Sequence, residues 1–326
     1  MRKPLCTLVL ALLMSPLAAV ASYLDHELAG EFTDRMVKTH GFERAEIEKL
    51  LAEAERKQSI LDAISRPAER TLEWKDYRKI FIQESRISQG VEFWNTHRET
   101  LKRAQQQYGV PPQVIAAIIG VETRYGRHMG SYRVVDALAT LGFDYPRRSK
   151  FFSKQLEEFL LMTREQGLDP LAMTGSYAGA MGFGQFIPSS YRSFAVDFDG
   201  DGVADIVNNP VDAIGSVANY IAKHDWRPNA PVALSAFVAK NHDAQVFDEG
   251  LKPKYTVAEL KSKGVGAYAD LDGKAKASAI RFIGDSGEEY WLGMHNFYVI
   301  TRYNHSSMYA MAVYQLSQLI EQRYGQ

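Results

Sequence analysis

Hydrophobic residues recur every three or four positions through the first third of the chain. Ile47, Leu50, Leu51 and Ala54 follow this spacing. Such spacing places apolar side chains on one side of an α-helix, because the helix turns once in about 3.6 residues. We therefore predict an N-terminal helical region over residues 22–107.

Changes of pattern divide the rest of the chain. Helical spacing continues through residues 108–225, although glycine-rich and aspartate-rich loops interrupt it. Residues 226–295 contain short alternating runs, such as 232–237 and 279–283, which are typical of strands. Helical spacing returns in residues 296–326, which we expect to pack back on the core. The whole pattern predicts a mainly α protein, α+β overall, with a small α+β subdomain.

The N-terminus has the pattern of a secretory signal peptide over residues 1–21. Arg2 and Lys3 precede an apolar run over 5–13, and small residues stand immediately before Ser22. An uncleaved membrane anchor is the less favoured alternative, because the apolar run is shorter than the roughly 20 residues that cross a bilayer. We expect the mature chain to begin near Ser22 and to be soluble in the periplasm.

Composition narrows the class of partner. The 326-residue chain has a formal net charge of −1 and no polybasic tail, so we expect no nucleic-acid partner and no stable membrane anchor. Its only cysteine, Cys6, lies within the predicted signal peptide. The mature chain would then have no disulfide and no lipidated cysteine, and its stability would depend on a large hydrophobic core.

One acidic residue stands in an otherwise apolar helix. Residues 111–126 begin with two prolines, which suit a helix start, and end at a glycine, which suits its stop. Glu122 follows Ile115 by seven residues and Ile118 by four, so we expect its carboxylate on the apolar face in the last turn. Burial and the negative end of the helix dipole would both raise its pKa, as a general acid requires. A structural glutamate paired with a neighbouring arginine, such as Arg124, is the alternative.

A glycine-rich segment lies downstream, over residues 175–188. Four of its first ten residues are glycine, so its backbone is expected to approach another part of the molecule closely. The pattern does not fit a dinucleotide-binding loop, which needs a strand-turn-helix unit and an acidic residue about 20 positions on. We therefore expect no organic cofactor. A tightly packed loop beside a helix is the plain structural alternative.

An aspartate-rich stretch over residues 197–208 has the spacing of an EF-hand calcium loop. Aspartates stand at its first, third, fifth and ninth positions, and a glycine stands at its sixth. The candidate calcium ligands are Asp197, Asp199, Asp201, Val203, Asp205 and Asn208. The last of these occupies the position where a bidentate glutamate is usual, so we expect a structural calcium ion that is weakly bound. A solvated acidic turn is the alternative.

Together, the helix that ends in a glutamate and the glycine-rich segment resemble the lytic transglycosylases with a lysozyme-like catalytic core. More narrowly, the sequences at 120–126, 144–148 and 300–306 are similar to those of the membrane-bound lytic murein transglycosylase B family. They read Gly-Val-Glu-Thr-Arg-Tyr-Gly, Asp-Tyr-Pro-Arg-Arg and Ile-Thr-Arg-Tyr-Asn-His-Ser, in that order. The resemblance extends from about Phe32 to the C-terminus.

The resemblance implies cleavage of the β-1,4 bond between N-acetylmuramic acid and N-acetylglucosamine in peptidoglycan, which leaves a 1,6-anhydromuramyl end. It implies that Glu122 is the catalytic acid. It also implies a set of substrate-binding residues: Tyr77, Arg147, Arg148, Ser176, Gln185, Phe186, Tyr220 and Tyr303. The serine, the glutamine and the phenylalanine would line the groove, the arginines would meet substrate carboxylates or carbonyls, and the tyrosines would border sugar subsites. Family members named for membrane binding carry a lipidated cysteine, and this chain departs from that pattern.

Glu122 is the one convincing catalytic carboxylate in the sequence, whereas glycoside hydrolysis usually uses two. A single carboxylate suits a reaction in which the substrate's own C6 hydroxyl or N-acetyl group performs the second task, with the glutamate as acid and then base. This favours a transglycosylase over two alternatives. One is a hydrolytic muramidase on the same fold, and the other is a non-catalytic, calcium-stabilised glycan-binding protein.

Overall fold

The computed structural model describes residues 22–65 and 72–326. The signal peptide expected over 1–21 lies outside these residues. Within the described part, the first third of the chain is helical. Its helices are α1 (Ala29–His40), α2 (Arg44–Glu53), α3 (Gln58–Ile64), α4 (Trp74–Phe81), α5 (Glu84–Thr96) and α6 (Arg98–Tyr108).

The central part of the chain is also helical, with a short pair of strands. Strands β1 (Tyr132–Arg133) and β2 (Thr174–Gly175) pair antiparallel and bring the residues before α8 beside the glycine-rich segment. A 3-10 turn, Pro146–Arg148, joins α8 to α9. The helices are α7 (Pro112–Thr123), α8 (Val134–Asp144), α9 (Ser149–Gln166), α10 (Pro188–Phe194) and α11 (Pro210–Lys223).

Residues 233–293 contain an antiparallel sheet, which has five strands within the described part of the chain. The order across the sheet is β4-β6-β7-β3-β5. A short helix, α12 (Val257–Ser262), packs beside it, and the ring of Phe282 lies 5.0 Å from that of Trp74 on α4. The small α+β subdomain predicted from the alternating runs is confirmed. The strands are β3 (Ala233–Val238), β4 (Tyr255–Thr256), β5 (Val265–Ala267), β6 (Lys276–Gly284) and β7 (Gly287–Gly293).

The chain ends in two helices, α13 (His295–Tyr303) and α14 (Ser307–Tyr324), that return to the helical part. Ser306 caps the second, because its hydroxyl accepts a hydrogen bond from the Tyr309 amide at 3.2 Å. One hydrophobic core runs from the N-terminal helices through α7 to α14, and a second lies between the sheet and α12. The mainly α fold is confirmed, whereas the domain boundaries remain a prediction. Among the described helices, none combines the length and the apolar character needed to cross a bilayer.

The helix α7 lies at the centre of the larger core. Of its 12 residues, all but Gln113 and Glu122 are buried. The short buried helix predicted here is therefore present, and it is apolar on almost every side. Neighbours approach it closely at Gly120, where a Cβ atom would lie 2.6 Å from the Tyr125 ring. The Tyr125 hydroxyl donates a hydrogen bond of 2.9 Å to the Arg86 carbonyl and so ties the end of α7 to α5.

Glu157 on α9 joins the N-terminal helix to the core through a buried charge. Its carboxylate accepts hydrogen bonds from Arg35 at 3.1 Å and Lys154 at 2.5 Å, and it lies 2.8 Å from His40 Nε2. Burial opposes ionisation, but the hydrogen bonds from Lys154, His40 and Arg35 outweigh it and lower the pKa of Glu157. The ionised carboxylate therefore stabilises the contact between α1 and α9.

We expect Glu157→Gln to lower the free energy of unfolding by about 1–3 kcal/mol at neutral pH, because its donors lose a charged acceptor. The folded-state pKa of Glu157 is depressed, so this contribution is present above the unfolded-state pKa and is lost as pH falls through the folded-state pKa. Urea denaturation at neutral and at acid pH measures both effects. Glu31→Gln is the matched control, since Glu31 is exposed and also faces Arg35, at 3.8 Å. Equal losses in the two variants would contradict the account.

Candidate active site

Glu122 reaches the surface from a buried helix. Its neighbours Val121 and Thr123 are buried, whereas Glu122 itself is half-buried. It stands in the last turn, because α7 ends at Thr123 and Arg124 adopts a left-handed conformation. A carboxylate at the C-terminal end of a helix meets the negative end of the helix dipole, so it needs hydrogen-bond donors from other elements.

One such donor comes from α14. The Tyr309 hydroxyl donates a hydrogen bond of 2.6 Å to Glu122 Oε1. Burial raises the pKa of Tyr309 well above its ordinary value, and the charge of Glu122 adds to this, so the phenol keeps its proton. Sequence reasoning missed Tyr309. Its spacing with Val313, Leu316 and Ile320 puts it on a buried stripe, where a tyrosine hydroxyl needs a partner, and this pattern could have found it.

Three predicted aromatic residues form a wall beside this pair. The Tyr303 ring lies parallel to the Tyr309 ring, with centroids 6.4 Å apart. Tyr220 lies 4.7 Å from Tyr303, and Phe186 lies 5.6 Å from Tyr220. The Tyr303 hydroxyl donates to the Gly184 carbonyl at 2.6 Å, and the Tyr220 hydroxyl donates to a carbonyl of α13 at 2.6 Å. Tyr220 and Phe186 are buried, whereas Tyr303 is half-buried, so the Tyr303 ring is the part of this wall that a ligand could contact.

The glycine-rich segment is fastened to the end of α7. The Thr123 hydroxyl donates to the Phe183 carbonyl at 2.9 Å and accepts from the Gly126 amide at 3.0 Å. The Phe183 amide in turn donates to the Ile206 carbonyl at 3.1 Å. Gly182 allows this approach, because a Cβ atom there would lie 2.2 Å from the Ile206 oxygen. The segment therefore connects the end of α7 to the aspartate-rich stretch.

Two polar residues of the segment, Gln185 and Ser176, bond within the loop region. Gln185 has a φ of 52°, and its Nε2 donates to the carbonyls of Met129 at 3.1 Å and Gly182 at 3.0 Å. The Ser176 hydroxyl accepts from the Ala180 amide at 3.1 Å. A positive φ in a residue other than glycine is a strained conformation of the kind that clusters at functional sites. The structure thus holds the predicted groove residues in one fixed loop.

The remaining predicted binding residues divide into two groups. Tyr77 is buried on α4, with its ring 5.1 Å from Phe81. It lies on a helix that packs against α14, the helix of Tyr309. Arg147 and Arg148 are exposed in the 3-10 turn after α8. The guanidinium group of Arg148 lies over the ring of Phe151 in α9, 4.2 Å from the ring centroid. The role of both arginines stays a prediction.

The aspartate-rich stretch folds around the carboxylate of Asp197. This carboxylate accepts hydrogen bonds from the amides of Gly202 at 2.8 Å and Gly200 at 2.7 Å, which lower the pKa of Asp197. Asp199 and Asp212 lie beside it, with one oxygen from each of the three within 4.8 Å of the others. Asp212 is buried in the first turn of α11. The sequence prediction did not include it, because it lies beyond the twelfth position of the loop.

The other predicted calcium ligands bond along the stretch. Asp201 Oδ1 accepts from the Val203 amide at 2.9 Å, and Asp205 Oδ1 accepts from the Asn208 amide at 2.8 Å. The Asn208 side chain donates to Asp205 Oδ2 at 3.1 Å, so it faces the ninth position of the loop. The three gathered carboxylates offer the oxygen ligands that calcium prefers. The donor set therefore fits calcium.

These features bring a defined chemistry to one place. A half-buried carboxyl group can exchange a proton with a glycosidic oxygen, and the half-buried ring of Tyr303 beside it can pack on a sugar. The arrangement agrees with the lysozyme-like core that the sequence motifs resemble, and lysozyme-like enzymes cleave glycan chains. The fold and the site therefore define this class of protein.

Comparison with known proteins identifies the family within that class. The model of the transglycosylase SLT domain matches residues 25–318, so the chain belongs to this family. The chain is 48% identical over 307 residues to the membrane-bound lytic murein transglycosylase B of Escherichia coli (strain K12), with 91% of this chain and 84% of that protein covered.

Solved structures agree with this assignment. The soluble lytic transglycosylase SltB1 from Pseudomonas aeruginosa is 54% identical, with a TM-score of 0.87 over 91% of this chain and 99% of that chain. The Escherichia coli lytic transglycosylase Slt35 in complex with calcium is 46% identical, with a TM-score of 0.85 over 93% of this chain and 95% of that chain. The predicted family and the lysozyme-like fold are confirmed.

We expect Thr123→Val to lower kcat for peptidoglycan cleavage by about 10²-fold with little change in KM. Without the Thr123 hydroxyl, the end of α7 loses its hydrogen bond to the glycine-rich segment, and Glu122 is no longer held in position. The unpaired Phe183 carbonyl should also cost about 1–3 kcal/mol of stability. Thr123→Ser keeps the hydroxyl and should restore both quantities. Steady-state kinetics and thermal denaturation of the two variants provide the measurement. Equal activity of the serine and valine variants would remove Thr123 from the account.

Proposed function

We propose that this protein is a lytic murein transglycosylase that cleaves the β-1,4 bond between N-acetylmuramic acid and N-acetylglucosamine and forms 1,6-anhydromuramyl ends. The observation that carries the proposal is the 2.6 Å hydrogen bond between Tyr309 and Glu122 beside the wall of tyrosine rings. This hydrogen bond holds the carboxyl group of Glu122 at a place where sugar rings can pack. The names of relatives at 48% and 54% identity support the same reaction.

In the first step, the carboxyl group of Glu122 gives its proton to the glycosidic oxygen. The bond from C1 to that oxygen breaks, and the N-acetylglucosamine leaves with the bonding electrons and the proton as its C4 hydroxyl. The muramic acid is left with a positive charge shared by C1 and the ring oxygen. Glu122 becomes a carboxylate, and the Tyr309 hydroxyl stabilises the new negative charge through a charge-assisted hydrogen bond. Burial keeps Tyr309 protonated, so it remains a donor throughout the step.

In the second step, the C6 hydroxyl of the same muramic acid bonds to C1, and the carboxylate of Glu122 takes the hydroxyl proton. The anhydro ring is formed, the carboxyl group regains its proton, and no water is consumed. This sequence needs one carboxylate, which acts as acid and then base. Glu122 is the carboxylate that the Tyr309 hydroxyl contacts beside the tyrosine rings. A transglycosylase is therefore favoured over a hydrolytic muramidase.

The exposed and half-buried members of the predicted binding set keep their roles in this proposal, whereas Tyr77, Phe186 and Tyr220 are buried and would support the groove from behind. The half-buried ring of Tyr303 would pack on a sugar face, and Gln185 and Ser176 would contact the strand from the loop. Arg147 and Arg148 are exposed, so their guanidinium groups would be available to carboxylates of the lactyl and peptide groups. The unbroken ring contacts from Phe186 through Tyr220 to Tyr303 support an aromatic wall of this kind.

Calcium would be held by Asp197, Asp199 and Asp212, with Asp201 and the Val203 carbonyl as further candidates. The ion would brace the stretch that bonds to the glycine-rich segment, and it would take no part in bond cleavage. The gathered carboxylates support this role, as does the calcium complex of the Slt35 relative.

We place this activity in the periplasm, where an exported protein would meet peptidoglycan. The support is the signal pattern over residues 1–21, which carries the chain's single cysteine, Cys6. A soluble protein released near Ser22 is the form that this pattern predicts.

We expect Glu122→Gln to lower cleavage of purified sacculi by at least about 10²–10⁴-fold, because the amide cannot transfer a proton. The amide oxygen can still accept from Tyr309, so glycan binding should persist and the melting temperature should hold or rise. Mass spectrometry of anhydromuramyl products and thermal denaturation are measured on one preparation. Glu92→Gln is the matched control, since exposed Glu92 pairs only loosely with Arg127, at 3.7 Å, and should keep full activity.

Retained cleavage by a well-folded Glu122→Gln variant would remove Glu122 from the mechanism. A lower melting temperature, with activity surviving in the folded fraction, would instead identify Glu122 as a structural residue. Glycan binding without cleavage by the unaltered protein would favour the non-catalytic alternative.

We expect chelation of calcium to lower the melting temperature by several degrees at most. With a dissociation constant of roughly 0.1 mM and about 1 mM ion, the ion contributes about 1.4 kcal/mol. Asp212→Asn should abolish this calcium-dependent increment, whereas Asn208→Ala should leave it, because only Asp212 lies with the gathered carboxylates. Thermal denaturation with and without calcium, together with calorimetry, measures the increment. An unchanged melting temperature and no heat of binding would remove the metal from the account.

A further inference from the structure

The backbone turns left-handed for three residues directly after the helix that carries Glu122. Arg124, Tyr125 and Gly126 have φ angles of 52°, 61° and 85°. We call residues 124–126 the left-handed turn. Glycine enters this region freely, whereas other residues do so at a cost in free energy, because their Cβ atoms crowd the backbone. Two such residues in succession persist only where contacts from other elements outweigh that cost.

The side chain of Tyr125 holds the middle of the left-handed turn between two helices. A Cβ atom at Gly90 on α5 would lie 2.5 Å from the Tyr125 hydroxyl, and one at Gly120 on α7 would lie 2.6 Å from it. The same hydroxyl donates a hydrogen bond of 2.9 Å to the Arg86 carbonyl. The ring therefore occupies a space that exists because both helices have glycine at this point.

The side chain of Arg124 fastens the start of the left-handed turn to α5. Its Nε donates a hydrogen bond of 2.8 Å to Gln89 Oε1, and its Nη2 donates one of 3.1 Å to the Ser85 hydroxyl. Ser85 and Gln89 are four residues apart, so they lie on the same side of the helix. They form a pair of acceptors for two N–H groups of one guanidinium group.

A second arginine joins α5 to the last turn of α7. Arg86 is half-buried, and its Nη1 donates a hydrogen bond to the Gly120 carbonyl. This carbonyl also accepts from the Arg124 amide at 3.1 Å. A cation is favourable at the C-terminal end of a helix, because the carbonyl oxygens there carry partial negative charge. Thus α5 holds both the end of α7 and the left-handed turn that follows it.

The left-handed turn bears on the position of Glu122, because only Thr123 separates them in sequence. The Glu122 carboxylate accepts from Tyr309 at 2.6 Å, and this bond persists only while the oxygen stays at hydrogen-bond distance. If the turn relaxed, the backbone after Glu122 would change direction, and the carboxylate would move with it. A displacement of about 1 Å at a catalytic group can cost roughly 10²-fold in rate.

We propose that Arg124 is a positioning residue for the cleavage reaction. Its hydrogen bonds to Ser85 and Gln89 maintain the strained left-handed turn, and this turn directs the Glu122 carboxylate toward the Tyr309 hydroxyl and the glycosidic oxygen. Arg124 acts through the backbone and transfers no proton itself. This inference rests on the proposed function, because that function makes Glu122 the proton donor.

Variants at both ends of the contact between Arg124 and Gln89 test the proposal in the full mature chain. Arg124→Met and Gln89→Leu each remove one partner and keep most of the side-chain volume. We expect each to lower kcat for cleavage of soluble peptidoglycan strands about tenfold and to leave KM nearly unchanged. The double variant should lose no more than either single variant, since both changes remove the same contact. Gln89→Glu should keep the parent kcat, because a carboxylate also accepts from a guanidinium group.

Two exposed serines of α5 provide a matched pair of controls. Ser85 accepts from Arg124, whereas Ser88 accepts from Arg323 of α14, at 3.3 Å. Ser85→Ala should lower kcat about threefold, because one of the two hydrogen bonds of Arg124 is lost. Ser88→Ala should keep the parent kcat. Thermal denaturation checks that each variant is folded, and if Arg124→Met is unstable, the comparison of Gln89→Leu with Gln89→Glu decides the question.

A second measurement does not depend on activity. Nuclear magnetic resonance of protein labelled with carbon-13 at tyrosine Cζ reports the environment of each tyrosine hydroxyl, and Tyr309→Phe identifies the Tyr309 signal by its loss. We expect Arg124→Met and Gln89→Leu to move this signal toward its position in Glu122→Ala, where the acceptor is absent. Ser88→Ala should leave the signal in place.

Parent kcat and an unmoved Tyr309 signal in a folded Arg124→Met variant would overturn the proposal. Equal losses of kcat in Ser85→Ala and Ser88→Ala would also overturn it, since any polar contact of α5 would then have the same effect. A raised KM in Arg124→Met, without an effect of Gln89→Leu, would overturn it and assign Arg124 to glycan binding. If the unaltered protein forms no anhydromuramyl ends but its Tyr309 signal still depends on Arg124 and Gln89, the proposed function fails and the positioning contact stands.

Discussion

The active-site region depends on holding an acidic group at the end of α7, a helix that is buried on almost every side. Burial and the helix dipole both disfavour a negative charge at that position. The hydrogen bond that Tyr309 donates to Glu122 opposes both effects. Because Tyr309 lies on α14, the last helix of the chain must pack against α7 before the carboxylate is held. This requirement gives a physical reason for the return of the C-terminal segment to the core.

The same end of α7 also organises the loops around the site. Thr123, the residue after Glu122, bonds to the Phe183 carbonyl, and the Phe183 amide bonds to Ile206 in the aspartate-rich stretch. A displacement of that stretch would therefore act on the glycine-rich segment and on the helix end. This connection gives a physical route by which a metal held by the aspartates would stabilise the groove without contacting the substrate. It also explains why Gly182 is needed, since a side chain there would separate the two loops.

Features encoded in contiguous residues were predictable from the sequence. The helix that carries Glu122, the glycine-rich segment and the alternating strands each have a local pattern, and the structure contains all three. Tyr309 and Asp212 were missed for a different reason. Tyr309 meets Glu122 across 187 positions of sequence, and Asp212 joins the aspartates from outside the loop pattern. Contacts between distant segments depend on how the elements pack, and the spacing of residues within one segment does not predict that packing.

The central claim is that Glu122 performs both proton transfers while the substrate's own hydroxyl replaces water. The most direct test digests purified sacculi in water labelled with heavy oxygen and analyses the released fragments by mass spectrometry. The account predicts unlabelled fragments that are lighter than hydrolysis products by one water molecule. Heavy oxygen at C1 of the muramic acid ends in the main products would contradict the account and would identify a hydrolytic muramidase.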